Sequence, residues 1–310
     1  NRWRTDGFSN MSEKNEISVD LLAAINGSPT QGFGYTTLMT NNGKMVNRGV
    51  EITLSGEIIR QKDFSWNASL LYAFNRNKVK HISVQPSLWD SRISMPTSYP
   101  MVGKPLYGIY AYKWAGLNEN GDPQVYDAEN NVTSGPARDY HALVYCGTTV
   151  PIHNASLTNV LRYKGFEFSA MLILDAGHKL RSSNIPSINM SNGRITSTAK
   201  GIVDRWTQPG DVTDVPRLLF SNDTENFNTH RTELYRYSDL FVYDASNIRL
   251  SNISLAYRVP AHWCKKISLS GARLQFNVEN VATFAFDSKA NYDLGGKVKP
   301  NYVWGLYLNF

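Results

Sequence analysis

Segments of about ten residues in which apolar and polar side chains alternate recur along this chain, with turn-rich stretches between them, and that pattern leaves few folds open. In Phe64-Ser-Trp-Asn-Ala-Ser-Leu-Leu-Tyr-Ala-Phe74, one face carries Phe64, Trp66, Ala68, Leu70, Tyr72 and Phe74. The other carries Ser65, Asn67, Ser69, Leu71, Ala73 and Asn75. Val50, Ile52, Leu54 and Ile58 alternate with Glu51, Thr53, Ser55 and Glu57, and Phe166, Phe168, Ala170, Leu172 and Leu174 with Glu167, Ser169, Met171, Ile173 and Asp175. Ala272, Leu274, Phe276 and Val278 alternate with Arg273, Gln275, Asn277 and Glu279. With weaker segments near 17–26, 107–114, 155–163 and 248–258 and a final strand, roughly nine strands are expected. No amphipathic helix is read anywhere, so the chain is expected to be all-β.

A half-buried soluble sheet and a membrane barrel share this alternation, because the polar face meets bulk water in one and a wet lumen in the other. Mean hydropathy of -0.36 and a hydrophobic share of 42% suit both. An aromatic content of 12% leans towards the barrel, whose interfaces carry aromatic girdles. The 32 basic and 26 acidic residues are scattered, with Lys265-Lys266 the densest basic pair, so no nucleic-acid groove is expected. Cys146 and Cys264 are too few for a disulfide scaffold or a zinc cage. The histidines lack metal-helix spacing, and no nucleophile elbow or phosphate loop occurs. Asp211, Asp214, Asp223 and Glu225 gather in one stretch that reads as a polar loop rather than a glycosidase pair. No metal, cofactor or catalysis is expected. The first residue is Asn1 and no signal peptide follows it, so any targeting segment is expected upstream in a longer chain.

The end of the chain separates the two readings. Asn301-Tyr-Val-Trp-Gly-Leu-Tyr-Leu-Asn-Phe310 places Tyr302, Trp304, Leu306, Leu308 and Phe310 on one face. An apolar strand ending in an aromatic resembles the assembly signal of outer-membrane barrels, and the chain is expected to be integral to a bacterial outer membrane. Trp66, Phe74, Phe168, Phe276 and Trp304 are then the expected lipid-facing belt. With Phe310 at the periplasm, Tyr163-Lys-Gly165 is a tight periplasmic turn, 259–266 another, and 178–247 a long outer excursion. This arrangement leaves one strand between 79 and 151 without a place.

Several segments resemble the SusC/RagA family of TonB-dependent transporters. Asn42-Gly43 with Asn47-Arg-Gly49-Val-Glu51 is similar to the family's N-x-G-x-E strand start. Gly103-Lys-Pro-Leu-Tyr-Gly-Ile-Tyr-Ala-Tyr112 with Gly116 is similar to its G-x-P-x-G-x-Y-Y segment, and Asn159 with Tyr163–Phe168 to the strand–turn–strand that follows. Arg205-Trp206, Pro209-Gly210-Asp211 and Pro216-Arg217 resemble R-W-x-x-P-G-D-x-T-x-x-P-R. Tyr243-Asp-Ala-Ser246, Ile248-Arg-Leu250, Ile253-Ser-Leu255, Tyr257 and Pro260 resemble D-A-S-x-x-R-L-x-N-x-x-L-x-Y-x-x-P. The family often has an acidic calcium-like run where Asn118-Glu-Asn-Gly-Asp122 stands; this one is shorter, and no calcium is expected.

The resemblance implies the C-terminal part of an antiparallel barrel of about 22 strands with long extracellular loops. It implies an importer of oligosaccharides or oligopeptides, lidded by a SusD-like lipoprotein, with two barrels often paired. The plug, the TonB-contacting segment and the first strands would lie outside residues 1–310. Roughly nine strands cannot close such a barrel, so this chain is expected to share one with an N-terminal piece. If the cargo is a glycan or a peptide, Trp89, Tyr99, Trp206, Tyr235 and Tyr237 are the candidate contacts, since aromatic faces stack on sugars and fill peptide pockets. The alternatives are a lidless receptor for siderophores or cobalamin, and a soluble β-rich adhesin or lectin.

Overall fold

The computed structural model of the chain describes residues 17–26, 37–83, 91–135, 139–190, 199–220, 229–294 and 299–310. Its main feature is an eight-stranded sheet, paired antiparallel throughout. In spatial order the strands are β1 (Ile17–Asn26), β2 (Thr37–Arg60), β3 (Phe64–Ile82), β4 (His153–Tyr163), β5 (Phe166–Ala176), β6 (Asn247–Arg258), β7 (Gly271–Ala285) and β8 (Asn301–Asn309). Spatial order equals chain order, so the wall is a meander. Among the described residues no helix is long and apolar enough to cross a membrane, which leaves a strand-built crossing open.

The two ends of the wall differ. At one end the connections are short: 61–63, 164–165 and 259–270. The Lys164-Gly165 turn needs its glycine, because a Cβ there would sit 2.8 Å from the Arg258 carbonyl oxygen, which belongs to the adjacent strand. At the other end the chain leaves on two long excursions, 83–152 and 177–246, and a shorter one, 286–300.

The strand expected at 107–114 is not in the wall. β3 pairs directly with β4, from Phe64↔Tyr163 to Phe74↔His153, and leaves no gap for another crossing. Instead, Gly108–Tyr112 pairs with Leu143–Thr148 in a small sheet inside the first excursion, where all five of its residues are buried. Its continuous apolar run is that of a strand covered on both faces, whereas a wall strand alternates. Removing it from the wall restores the short-turn, long-loop rhythm, and Phe310 and all the tight turns fall at one end. A second, smaller departure is at Ile58. A bulge between Glu57 and Ile59 makes Ile59 the partner of Trp66, so Ile58 is the inserted residue and leaves the face of Val50, Ile52 and Leu54.

The excursions pack into a cap with its own core. Tyr110, Tyr112, Val125, Ala142, Leu143 and Leu234 form one cluster, and Ile188, Tyr235 and Phe241 another. Leu234 and Tyr235 come from Thr229–Arg236, a helix that the sequence reading missed: eight largely polar residues give too short a window for a helical period.

Candidate functional site

Register assigns each described wall side chain to a face. Ile59, Trp66, Leu161, Phe168, Leu255, Phe276 and Trp304 are successive partners from β2 to β8 and make one continuous row. The Phe276 and Trp304 rings lie 4.2 Å apart within it. Nearer the tight turns runs Phe64, Tyr163, Phe166, Tyr257, Leu274 and Leu306. Toward the cap runs a leucine row, Leu54, Leu70, Leu157, Leu172 and Leu250. Beyond it comes a row with Tyr72, Leu174, Ile248 and Phe284, then Phe74 beside His153.

Between the Phe64 and Phe74 rows this face carries no charged side chain among the described residues, and two of its hydrogen-bonding side chains, Trp66 and Tyr72, have partners on the same face. Trp66 Nε1 donates to Asn159 Oδ1 at 3.1 Å, and the Tyr72 hydroxyl lies 2.8 Å from His153 Nδ1. Arg48, Arg76 and Lys78 share this register only beyond Phe74, and between the two rows the wall's described charges lie opposite: Glu51, Glu57, Arg60, Arg162, Glu167, Asp175, Arg249, Arg258, Arg273 and Glu279. There Arg162 Nε donates to Glu167 at 2.7 Å, Arg273 to the same carboxylate at 3.2 Å, and Arg249 faces Asp175 at 3.8 Å. One surface therefore suits an apolar phase and the other water.

The cap is fixed to the wall by the Asp244-Ala-Ser246 segment. The Ser246 hydroxyl accepts from the Gly177 amide at 3.0 Å, and its carbonyl accepts from Phe286, so one residue ties together the cap ends of β5, β6 and β7. The Ala245 amide donates to the His178 carbonyl, and Asp244 accepts from the Ser246 amide at 2.8 Å and from Lys179 at 3.0 Å. Burial works to raise the Asp244 pKa, but the Ser246 and Lys179 hydrogen bonds outweigh it and hold the carboxyl near about 2. A folded pKa below the unfolded value, roughly 3.9, contributes stability above that value and loses it as pH falls toward the folded one. The Ser246 amide is therefore expected to lose hydrogen-exchange protection between about pH 4 and pH 2, and D244N to show the weaker protection already at pH 7.

A second knot joins the two excursions. Arg231 is 1% exposed, and its guanidinium donates to Asp122 Oδ1 at 3.2 Å, to the carbonyls of Ile188 and Arg217, and to Asn189 Oδ1. Arg217 adds a bidentate pair to Asp122 at 2.8 and 3.1 Å. The turn that presents Asp122 is set by Asn118 Oδ1, which accepts from the amides of Asn120 and Asp122. At Gly121 φ is +74°, and a Cβ would lie 2.4 Å from the Trp206 ring. Gly121→Ala is expected to destabilise the cap by about 1–3 kcal/mol through backbone strain and this clash, seen as faster proteolysis of the cap with the wall resistant.

Of the aromatic candidates, Trp89 lies outside the described residues. Trp206 rests on Gly121. Tyr235 is a core residue, 2% exposed and packed on Trp114 and Phe241, and its burial pushes the phenol pKa up. That removes it from ligand contact in this structure. Tyr99 and Tyr237 are half-buried, the latter with the guanidinium of Arg181 5.3 Å from its ring. Among the belt candidates, Trp66, Phe168, Phe276 and Trp304 share the row given above, with Phe74 on the same face toward the cap. Tyr302, Leu306 and Leu308 of the terminal strand join them on that face through their β7 partners.

The acidic stretch is structural where it is described. Asp211 caps the Thr207–Gln208 turn, whose amides, with the Thr207 hydroxyl, lower its pKa, and Asp214 accepts from Trp114 Nε1; Asp223 and Glu225 lie outside the described residues. Sequence reasoning missed Arg231, because an isolated arginine in a polar stretch carries no pattern. The motif residues Asp122, Arg217, Asp244 and Ser246 stand in the sequence, but their partners do not.

No family model matches the chain. It is 24% identical over 294 residues to TonB-dependent receptor P3 of Formosa agariphila, covering 88% of this chain and 28% of that protein. It is 22% identical over 263 residues to TonB-dependent receptor SusC of Bacteroides thetaiotaomicron, covering 80% of this chain and 24% of that protein. The chain thus spans well under half the length of these relatives. Among solved structures it superposes on the RagAB peptide transporter with a TM-score of 0.66 at 22% identity, covering 89% of this chain and 31% of that one. The RagAB peptide importer in its open-open state gives 0.66 at 21% identity, with coverage of 94% and 31%. These relatives are transporters and not enzymes. In sequence the chain is thus similar to TonB-dependent receptors that include SusC, and in fold it has the antiparallel barrel wall seen in the RagAB structures.

Proposed function

We propose that residues 1–310 form the C-terminal part of the barrel of an outer-membrane importer, with the apolar face against lipid and the charged face lining the lumen. The observation that carries this is the charge-free apolar face with aromatic rows toward both ends. Trp66 and Phe74 stand about 26 Å apart along β3 at ~3.3 Å per residue. A strand tilt of roughly 40° reduces that to about 20 Å along the membrane normal, close to the apolar band of such barrels. A soluble adhesin would expose this surface to water, where a contiguous apolar patch of such size promotes association.

In this reading the tight turns and Phe310 are periplasmic and the cap is extracellular. An N-terminal plug and the remaining strands complete the barrel. TonB acts through that N-terminal part, a SusD-like lipoprotein lids the cap, and two barrels pair. The cargo is an oligosaccharide or oligopeptide, with peptide favoured by the likeness to a peptide transporter. Tyr99, Trp206 and Tyr237, all half-buried, are the aromatic surfaces left for it among the described candidates. The test is gentle detergent extraction of native outer membranes followed by mass spectrometry of what co-purifies. A plug-bearing piece and a large lipoprotein support the lidded importer. A barrel without a lipoprotein turns the reading to a lidless receptor, and absence from the membrane fraction refutes both.

A further inference from the structure

We propose that the tight-turn end of this wall is a binding rim for anionic phospholipid headgroups; the proposal rests on the membrane reading above. Each connection at that end carries exposed lysine: Lys62 in 61–63, Lys164 in 164–165, and Lys265 and Lys266 in 259–270. Among the described residues, none of the four is in an ion pair. They stand beside the row of Phe64, Tyr163, Phe166 and Tyr257, in which Tyr163 and Phe166 are half exposed on the apolar face. Lys164 Nζ lies 5.3 Å from the Tyr163 ring, which ties the cation to the aromatic girdle.

The longest of these turns, 259–270, is built as a foot. Cys264 and Leu269 are buried and hold the short helix Ala261–Lys265 against the wall, while Trp263 on the helix and Ile267 in the turn after it stay 55% and 69% exposed. A tryptophan and an isoleucine projecting beside paired lysines suit the headgroup level, where an indole sits at the acyl boundary and ammonium groups meet phosphates. The rim continues the apolar face, and its positive charge selects an anionic headgroup over a neutral one.

The test uses the full-length transporter reconstituted in phosphatidylcholine vesicles with or without phosphatidylglycerol. The variant is K62Q/K164Q/K265Q/K266Q, with K113Q in the cap as control. Native mass spectrometry reads retained lipid, and thermal unfolding reads stability. Wild type and K113Q are expected to retain phosphatidylglycerol and to unfold at a higher temperature in its presence. The quadruple variant is expected to lose about tenfold or more of that retention, together with the stabilisation, while still inserting. Insertion without preference for the anionic lipid overturns the proposal and leaves the barrel intact. A stability loss of equal size in pure phosphatidylcholine overturns it in favour of a protein contact at the rim. Failure of wild type to insert in either vesicle overturns the membrane reading itself.

Discussion

Asp122→Ala is expected to destabilise the cap by about 3–5 kcal/mol, the range for removing one partner of a buried charged pair. The substitution strands two guanidiniums at once: Arg231, whose side chain is 1% exposed, and Arg217 at 24%. Arg231 would keep its carbonyl partners at Ile188 and Arg217, but its only carboxylate among the described residues would be gone. Because the network crosses from the first excursion to the second, the loss should appear in both. Hydrogen exchange of the full-length protein should show faster opening in 108–126, 185–190 and 199–220, with β3 to β7 unchanged. Asp122→Asn keeps the shape and part of the hydrogen bonding and should fall between. A loss under about 1 kcal/mol, the range of an exposed ion pair, would mean that the two apolar clusters hold the cap without it.

The second large effect separates the faces of the wall. Leu157 and Thr158 are neighbours on β4, Leu157 between Leu70 and Leu172 in the leucine row and Thr158 between Ser69 and Met171 on the charged side. Leu157→Arg is expected to cost about 2–4 kcal/mol, because it places a guanidinium near mid-depth in hydrocarbon. Thr158→Arg should cost under about 0.5 kcal/mol, since the lumen solvates it. Urea-dependent folding of the full-length protein into lipid vesicles measures both. Equal costs, or the reverse order, would refute the assignment of lipid to the apolar face.

Much of the wall was legible because strand period acts on short stretches of sequence. Phe64–Phe74 and Phe166–Leu174 state their faces residue by residue, and the sheet confirms those faces by pairing. Glycine requirements were less legible. Gly165 is fixed by the carbonyl of Arg258 and Gly121 by the ring of Trp206, each far off in the chain. The motif residues show the same division. Asp244-Ala-Ser246 stands out as a string, but its work of joining Gly177, Lys179 and Phe286 exists only when three strand ends meet.

The sequence by itself determined the antiparallel alternation, the terminal apolar strand and the family likeness, because each is written in neighbours one or two positions apart. Tertiary structure alone decided three things. It put Gly108–Tyr112 in the cap instead of the wall, since a five-residue apolar run cannot say which surface will cover it. It buried Tyr235 against Phe241 and so withdrew it from the ligand candidates. It also brought Arg231 to Asp122, 109 residues away, because pairing a charge out of water depends on which loops the core packs together and not on local spacing.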